Sequence, residues 1–155
     1  MLSKNVLPMT EKTAEILQRH NYRWQIRLET RWLDNDVYGH INNVVYYGLF
    51  DTAVNRYLIE TGALDIHQGT VIGLVVESGC RYFAPMAFPD IVQAGVGVTR
   101  VGNTSVSYQV GLFRNDDVEP AAQGHFVHVY VDRQSRRPTS LPLRLREAVS
   151  ALVFI

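Results

Sequence analysis

The chain has 155 residues, with 15 Lys plus Arg against 15 Asp plus Glu, and so no formal net charge. That balance argues against a general nucleic-acid binder, which is usually basic, and the length suits one domain with a real core. A single cysteine, Cys80, excludes an intrachain disulfide, and no apolar run approaches the roughly 20 residues of a membrane helix.

Residues 1–21 read as an N-terminal extension, in which Thr10 or Thr13 could cap a short helix through Glu15, Ile16 and Leu17. Met1 to Val6 form no apolar signal core, so a cytoplasmic protein is expected. Residues 22–155 read as one domain. From 22 to 32 the chain alternates. Tyr22, Trp24, Ile26, Leu28, Thr30 and Trp32 fall on one side, and Arg23, Gln25, Arg27, Glu29 and Arg31 on the other. Period two over this length predicts a half-buried strand.

Asp34 to Asn43 interrupts that pattern with acids, Gly39, His40 and two asparagines. From about Asn43 to Thr61 the period becomes helical, with Tyr46, Leu49, Phe50, Ala53, Tyr57 and Leu58 on a broad apolar stripe. Asn42 or Asn43 suits the N-cap, and Gly62 suits the residue just past the end. The polar cluster therefore sits at a strand-to-helix junction, where backbone N–H groups are free and the helix dipole is positive. On residue types alone it reads either as a well-capped turn or as a reactive loop.

Four strand-like runs follow: Val71–Phe83, Ile91–Val101, Ser105–Phe113 and Ala121–Val131. Pro85 to Asp90, Gly102-Asn103 and Asn115-Asp116-Asp117 punctuate them with turn chemistry. In the last run His125 and His128 fall on opposite faces. Residues 141–155 read as a terminal helix. One strand, a long helix and four more strands imply an α+β domain whose antiparallel sheet wraps the helix. The five histidines show no metal-ligand spacing on a helix, and neither a Gly-x-Ser-x-Gly elbow nor a Gly-rich phosphate loop is present.

Asp34-x-Asp36-x-x-Gly39-His40-Ile41-Asn42-Asn43-x-x-Tyr46, followed by Asp51, resembles the signature of hotdog-fold acyl-CoA thioesterases of the 4-hydroxybenzoyl-CoA thioesterase-like group. Later pieces are similar to the same family in the same order. They are Tyr82-x-x-Pro85, Val101-Gly102-Asn103-Thr104-Ser105, Val129-x-Val131-Asp132 and Arg137-Pro138. The resemblance covers about residues 22–150. It implies a hotdog fold and hydrolysis of an acyl-CoA to free acid and coenzyme A, with neither metal nor organic cofactor.

The resemblance makes Asp36 the catalytic carboxylate, as nucleophile or general base, and the Asn43 amide the oxyanion donor. His40 is expected to assist with water, thioester or leaving group. Asp34 is expected to be structural. Gly39 would allow close substrate approach, and Tyr46, Tyr47 and Phe50 would line the acyl site. Arg136 and Arg137, with Arg133 beside them, suit coenzyme A phosphates. A homodimer or homotetramer is expected, with no nucleic-acid or membrane partner. The competing readings are a thioesterase acting on acyl carrier protein and a non-catalytic acyl-thioester-binding domain. An acid at position 36 favours an enzyme.

Overall fold

A computed structural model describes residues 15–155, so the expected caps Thr10 and Thr13 lie outside the described residues. Strand β1 (Trp24–Glu29) leads through the polar loop into helix α1 (Asn43–Glu60). Strands β2 (Val71–Tyr82), β3 (Ile91–Val101), β4 (Ser105–Arg114) and β5 (Ala122–Asp132) follow, and helix α2 (Leu143–Ser150) comes last. All five strands form one antiparallel sheet in the order β1-β3-β4-β5-β2. This is the hotdog arrangement: a sheet curved around α1.

Helix α1 forms where its caps direct. The Asn42 side chain accepts the Val44 N–H at 3.2 Å, a cap of the kind worth about 1 kcal/mol. Past the other end Gly62 takes φ +68°, the left-handed turn that favours glycine. Tyr46, Phe50, Ala53, Val54, Tyr57 and Leu58 are buried against the concave sheet face. There Val92, Ala94, Val96 and Val98 of β3 and Val106, Tyr108, Val110 and Leu112 of β4 complete the core. Gly124 of β5 lies directly beneath the Phe50 ring, which occupies the space a Cβ would need.

The first strand is shorter than its alternation predicts. It ends at Glu29, the Thr30 hydroxyl turns in to donate to the Asp90 carbonyl at 2.6 Å, and Trp32–Asp34 form a 3-10 turn. Trp32 is thereby swung out to 73% exposure. Tyr22 also leaves the face of Trp24. It is buried over Gly95 and Gly111 and meets Phe113 and Phe154 edge-on, whereas Trp24 packs on Tyr57 of α1. The two glycines leave room on the sheet face away from α1, and the Tyr22 ring fills it.

Two further expectations need correction. No helix runs through Glu15–Leu17; a 3-10 turn occupies Arg19–Asn21 instead. The terminal helix stops at Ser150, after which Val153 bridges to Val98 and Phe154 covers Gly97. No helix among the described residues is long and apolar enough to cross a membrane.

The sheet has two unlike edges. β1 is six residues long and carries exposed Arg27 and Glu29, charges of the kind that discourage strand addition. β2 is twelve residues long, with Leu74, Val75 and Val76 37%, 50% and 61% exposed and an irregularity between Val75 and Glu77.

Candidate active site

The loop before α1 is closed by its own backbone. The Asp36 N–H donates to the His40 carbonyl at 2.8 Å, and the Gly39 N–H returns to the Asp36 carbonyl at 3.1 Å. Gly39 takes φ +81°, which explains glycine at that point. One carboxylate oxygen of Asp36, Oδ1, accepts the Tyr38 N–H at 2.8 Å. That contact holds the carboxylate through one oxygen, and Asp36 lines the cleft beside the helix start.

Asp34, the first acid of the pair, does something different. It is 3% exposed and accepts from the Arg31 backbone N–H at 2.7 Å and from the Arg31 guanidinium at 2.9 and 3.1 Å. Its carbonyl accepts the Asn42 N–H at 2.8 Å. Asp34 therefore ties the 3-10 turn to the helix cap, as a structural acid should.

A second segment is bolted onto this loop. The Ile41 N–H donates to the Met86 carbonyl at 2.7 Å, and the Phe88 N–H donates to the Asn35 side chain at 3.0 Å. At the end of β2 the Tyr82 hydroxyl donates to the Asn43 carbonyl at 3.3 Å, and its ring meets Tyr46 edge-on at 4.9 Å. Desolvation, with Cys80 adding to it, pushes the Tyr82 hydroxyl above its ordinary value, so it stays an O–H donor. Cys80 is half-buried in β2, and desolvation pushes its thiol up to about 11, which leaves it a poor nucleophile at neutral pH.

Between the two segments lies a cleft of about 450 Å³, lined by Asp36, His40, Ile41, Asn43 and Tyr46 on one side and Tyr82, Phe83, Ala84 and Pro85 on the other. Four expected residues, Asp36, His40, Asn43 and Tyr46, thus converge there. Gly39 shapes the loop beside it. Tyr47 is one step round the helix, half-buried against Phe50.

Arg136 and Arg137 lie in the turn after β5, which meets the Val71 end of β2. The cleft is at the Tyr82 end, roughly 36 Å away along a twelve-residue strand. Arg133 donates to the Gly69 and Ile66 carbonyls and braces that turn. The Tyr82–Pro85 wall was not among the expected site residues. Its one signal in the sequence is the Tyr82-x-x-Pro85 spacing.

The N–H groups around the helix start can be accounted for one by one. Ile41 donates to Met86, Asn42 to Asp34, Val44 to the Asn42 side chain and Val45 to the Asn42 carbonyl. Among the described residues no acceptor takes the Asn43 N–H. Asn43 lines the same cleft as Asp36 and stands at the first position of an 18-residue helix, the positive end of its dipole.

With this geometry in view, comparison with known proteins assigns the family. The model of the thioesterase-like superfamily matches residues 30–149. Among solved structures, the PA5185 protein of Pseudomonas aeruginosa strain PAO1 is 53% identical, with TM-score 0.88 over 90% of this chain and 98% of that one. The fold is shared with Slr0204, a 1,4-dihydroxy-2-naphthoyl-CoA thioesterase from Synechocystis, at 16% identity and TM-score 0.75 over 83% of this chain and 96% of that one. It is shared also with a DHNA-CoA thioesterase from Staphylococcus aureus, at 20% identity and TM-score 0.74 over 82% and 88%. No curated protein matches the chain. The chain belongs to the thioesterase-like superfamily and carries its hotdog fold, so thioester hydrolysis is the class of chemistry its cleft has to account for.

Proposed function

We propose that the protein is a cytoplasmic acyl-CoA thioesterase in which Asp36 activates water or attacks the thioester carbonyl, and the Asn43 N–H stabilises the oxyanion. The observation that carries this reading is the pairing, in one cleft, of the Asp36 carboxylate with a helix-start residue, Asn43, whose N–H meets no acceptor among the described residues. Hydrolysis needs both halves, and a binding module needs neither. The thiolate leaves without obligatory protonation, since a free thiol has a pKa of about 8.5. His40, exposed at the rim, then serves to order water or the thioester.

The working unit is a homodimer formed through β2. Its long apolar edge is open, while the β1 edge is short and charged. Antiparallel pairing about a two-fold near Val76 would set the Val71 end of a second copy beside the Tyr82 end of the first. The Arg136–Arg137 turn of that copy would then approach the cleft, where coenzyme A phosphates would extend. In such a dimer the arginines would act on the partner's cleft rather than on that of their own chain.

The test is thiol release from a panel of aromatic, short-chain and long-chain acyl-CoA thioesters. Release from at least one, first order in enzyme, supports the reading, and the best substrate names the acyl class. Binding without release of thiol from any of them would contradict it.

A further inference from the structure

The free Asn43 N–H is useful as an oxyanion donor only if it holds still. An N–H at the first position of a helix is bound by no ladder bond, and helix ends fray. Beyond the Ile41–Met86 and Asn42–Asp34 bonds that anchor the loop exit, two contacts act on this turn from opposite sides. From within the chain segment, Asn42 caps the Val44 N–H. From across the cleft, the Tyr82 hydroxyl donates to the carbonyl of Asn43 itself, 39 residues away. The first contact orders the turn, and the second ties the Asn43 peptide itself to the end of β2.

We propose that Tyr82 is a positioning residue for the oxyanion donor: its hydroxyl grips the Asn43 carbonyl and so holds the Asn43 N–H at its place in the cleft wall. The proposal rests on the thioesterase reading above and names how that same site is kept in register. Three features support it. Tyr82 is the last residue of β2, a fixed point whose partner in the sheet is Ala122 of β5. Its ring is seated edge-on against buried Tyr46, one helical turn after Asn43, so ring and hydroxyl engage the same turn of α1. The side chain is nevertheless 46% exposed and lines the cleft, which is more than a core staple requires. Besides Asn43, the hydroxyl has Cys80 on the same strand face and the Tyr46 and Tyr47 hydroxyls as polar neighbours.

A tyrosine there merely filling space would be replaced by phenylalanine without consequence. Tyr82→Phe keeps the ring and its Tyr46 contact and removes only the O–H. The proposal expects kcat on the best acyl-CoA of the panel to fall about 3- to 10-fold, the scale of one net hydrogen bond, with KM and melting temperature unchanged. Tyr82→Leu, which also loses the ring contact, should fall at least as far.

The direct readout is the infrared stretch of the thioester carbonyl bound to Asp36→Asn protein, which retains the donor but lacks the carboxylate. Binding should lower the frequency, and adding Tyr82→Phe should return it toward the free value. An unchanged kcat in Tyr82→Phe, or an unchanged bound-carbonyl frequency in the double variant, would overturn the role of Tyr82. If wild-type protein releases no thiol, the thioesterase reading falls, and the carbonyl shift still decides whether Tyr82 holds the donor. If Asp36→Asn produces no shift on binding, the Asn43 N–H is not the oxyanion donor and the role of Tyr82 falls with it, while thiol release by wild type still decides the thioesterase reading.

Discussion

Asp36 donates its backbone N–H to the carbonyl of His40 at 2.8 Å. That one bond folds the loop back so that the carboxylate at its start and the helix N-terminus at its end face one cleft. The adjoining bridge between Asn35 and Ile41 extends the same closure by a residue on each side. The spacing of the motif is therefore a consequence of loop geometry. Three residues, with glycine at the positive φ, separate Asp36 from His40, and Ile41 and Asn42 anchor the exit to Met86 and Asp34.

The two acids of the loop should separate cleanly under mutation. Asp34→Ala strips the acceptor from the Arg31 backbone N–H and from its largely exposed guanidinium. A loss of about 1 kcal/mol in unfolding free energy is expected, the net worth of a typical hydrogen bond whose donor water can reach. Urea unfolding followed by circular dichroism measures it, and a stability equal to wild type would refute the structural role.

The β2 edge makes a prediction about assembly. A lysine in place of exposed Val76, at the middle of that edge, puts a charge where a second copy would pair. Sedimentation should show wild type as a dimer or larger and Val76→Lys as a monomer with its melting transition intact. The monomer should also bind coenzyme A more weakly, since the second copy's arginines are lost. A variant that stays dimeric would place the interface elsewhere.

His128 sets an acid limit on stability. It is 4% exposed beneath α1, stacked on Phe126, and its Nε2 has no hydrogen-bond partner. Burial lowers its pKa, with Asp51 of α1 opposing the shift. In the unfolded chain an imidazole titrates near about 6.5. The unfolded state therefore takes up a proton first as pH falls, and stability declines from about 6.5 down to the lower folded value. Above that window the ring is neutral in both states and adds no pH dependence. Replacing it by Phe should flatten the decline in melting temperature between about pH 7.5 and about pH 5.5. An identical decline in wild type and His128→Phe would assign the acid sensitivity to other groups.

Much of this was legible in the sequence because it is local. The Asn42 cap, the Gly62 terminator and the apolar stripe from Tyr46 to Leu58 depend on neighbours within a helical turn or two, and α1 runs where they indicate. The convergence of Asp36, His40, Asn43 and Tyr46 follows from one short loop meeting that helix.

What was hidden depends on distant partners. Trp32 continues the alternation of β1 on paper, yet Thr30 finds the Asp90 carbonyl 60 residues away and the strand ends first. Tyr22 looks like a member of the Trp24 face, but glycines 95 and 111, on two other strands, open a place for it on the convex side. The far wall of the cleft, Tyr82 to Pro85, sits at a strand end that periodicity alone marks as unremarkable. Arg136 and Arg137 resemble phosphate ligands by type, and only the position of β2 as an open edge suggests how they reach a cleft at the other end of the strand.

The most direct test of the central proposal is thiol release by wild type and Asp36→Ala on the best thioester of the panel. Both proteins should first be shown to be equally folded by melting temperature and circular dichroism. Wild type should turn over, and the variant should lose about 10²- to 10⁴-fold in kcat, the range for removing a positioned general base, with little change in KM. An Asp36→Ala protein that keeps wild-type kcat would contradict the assignment of the carboxylate and the mechanism built on it.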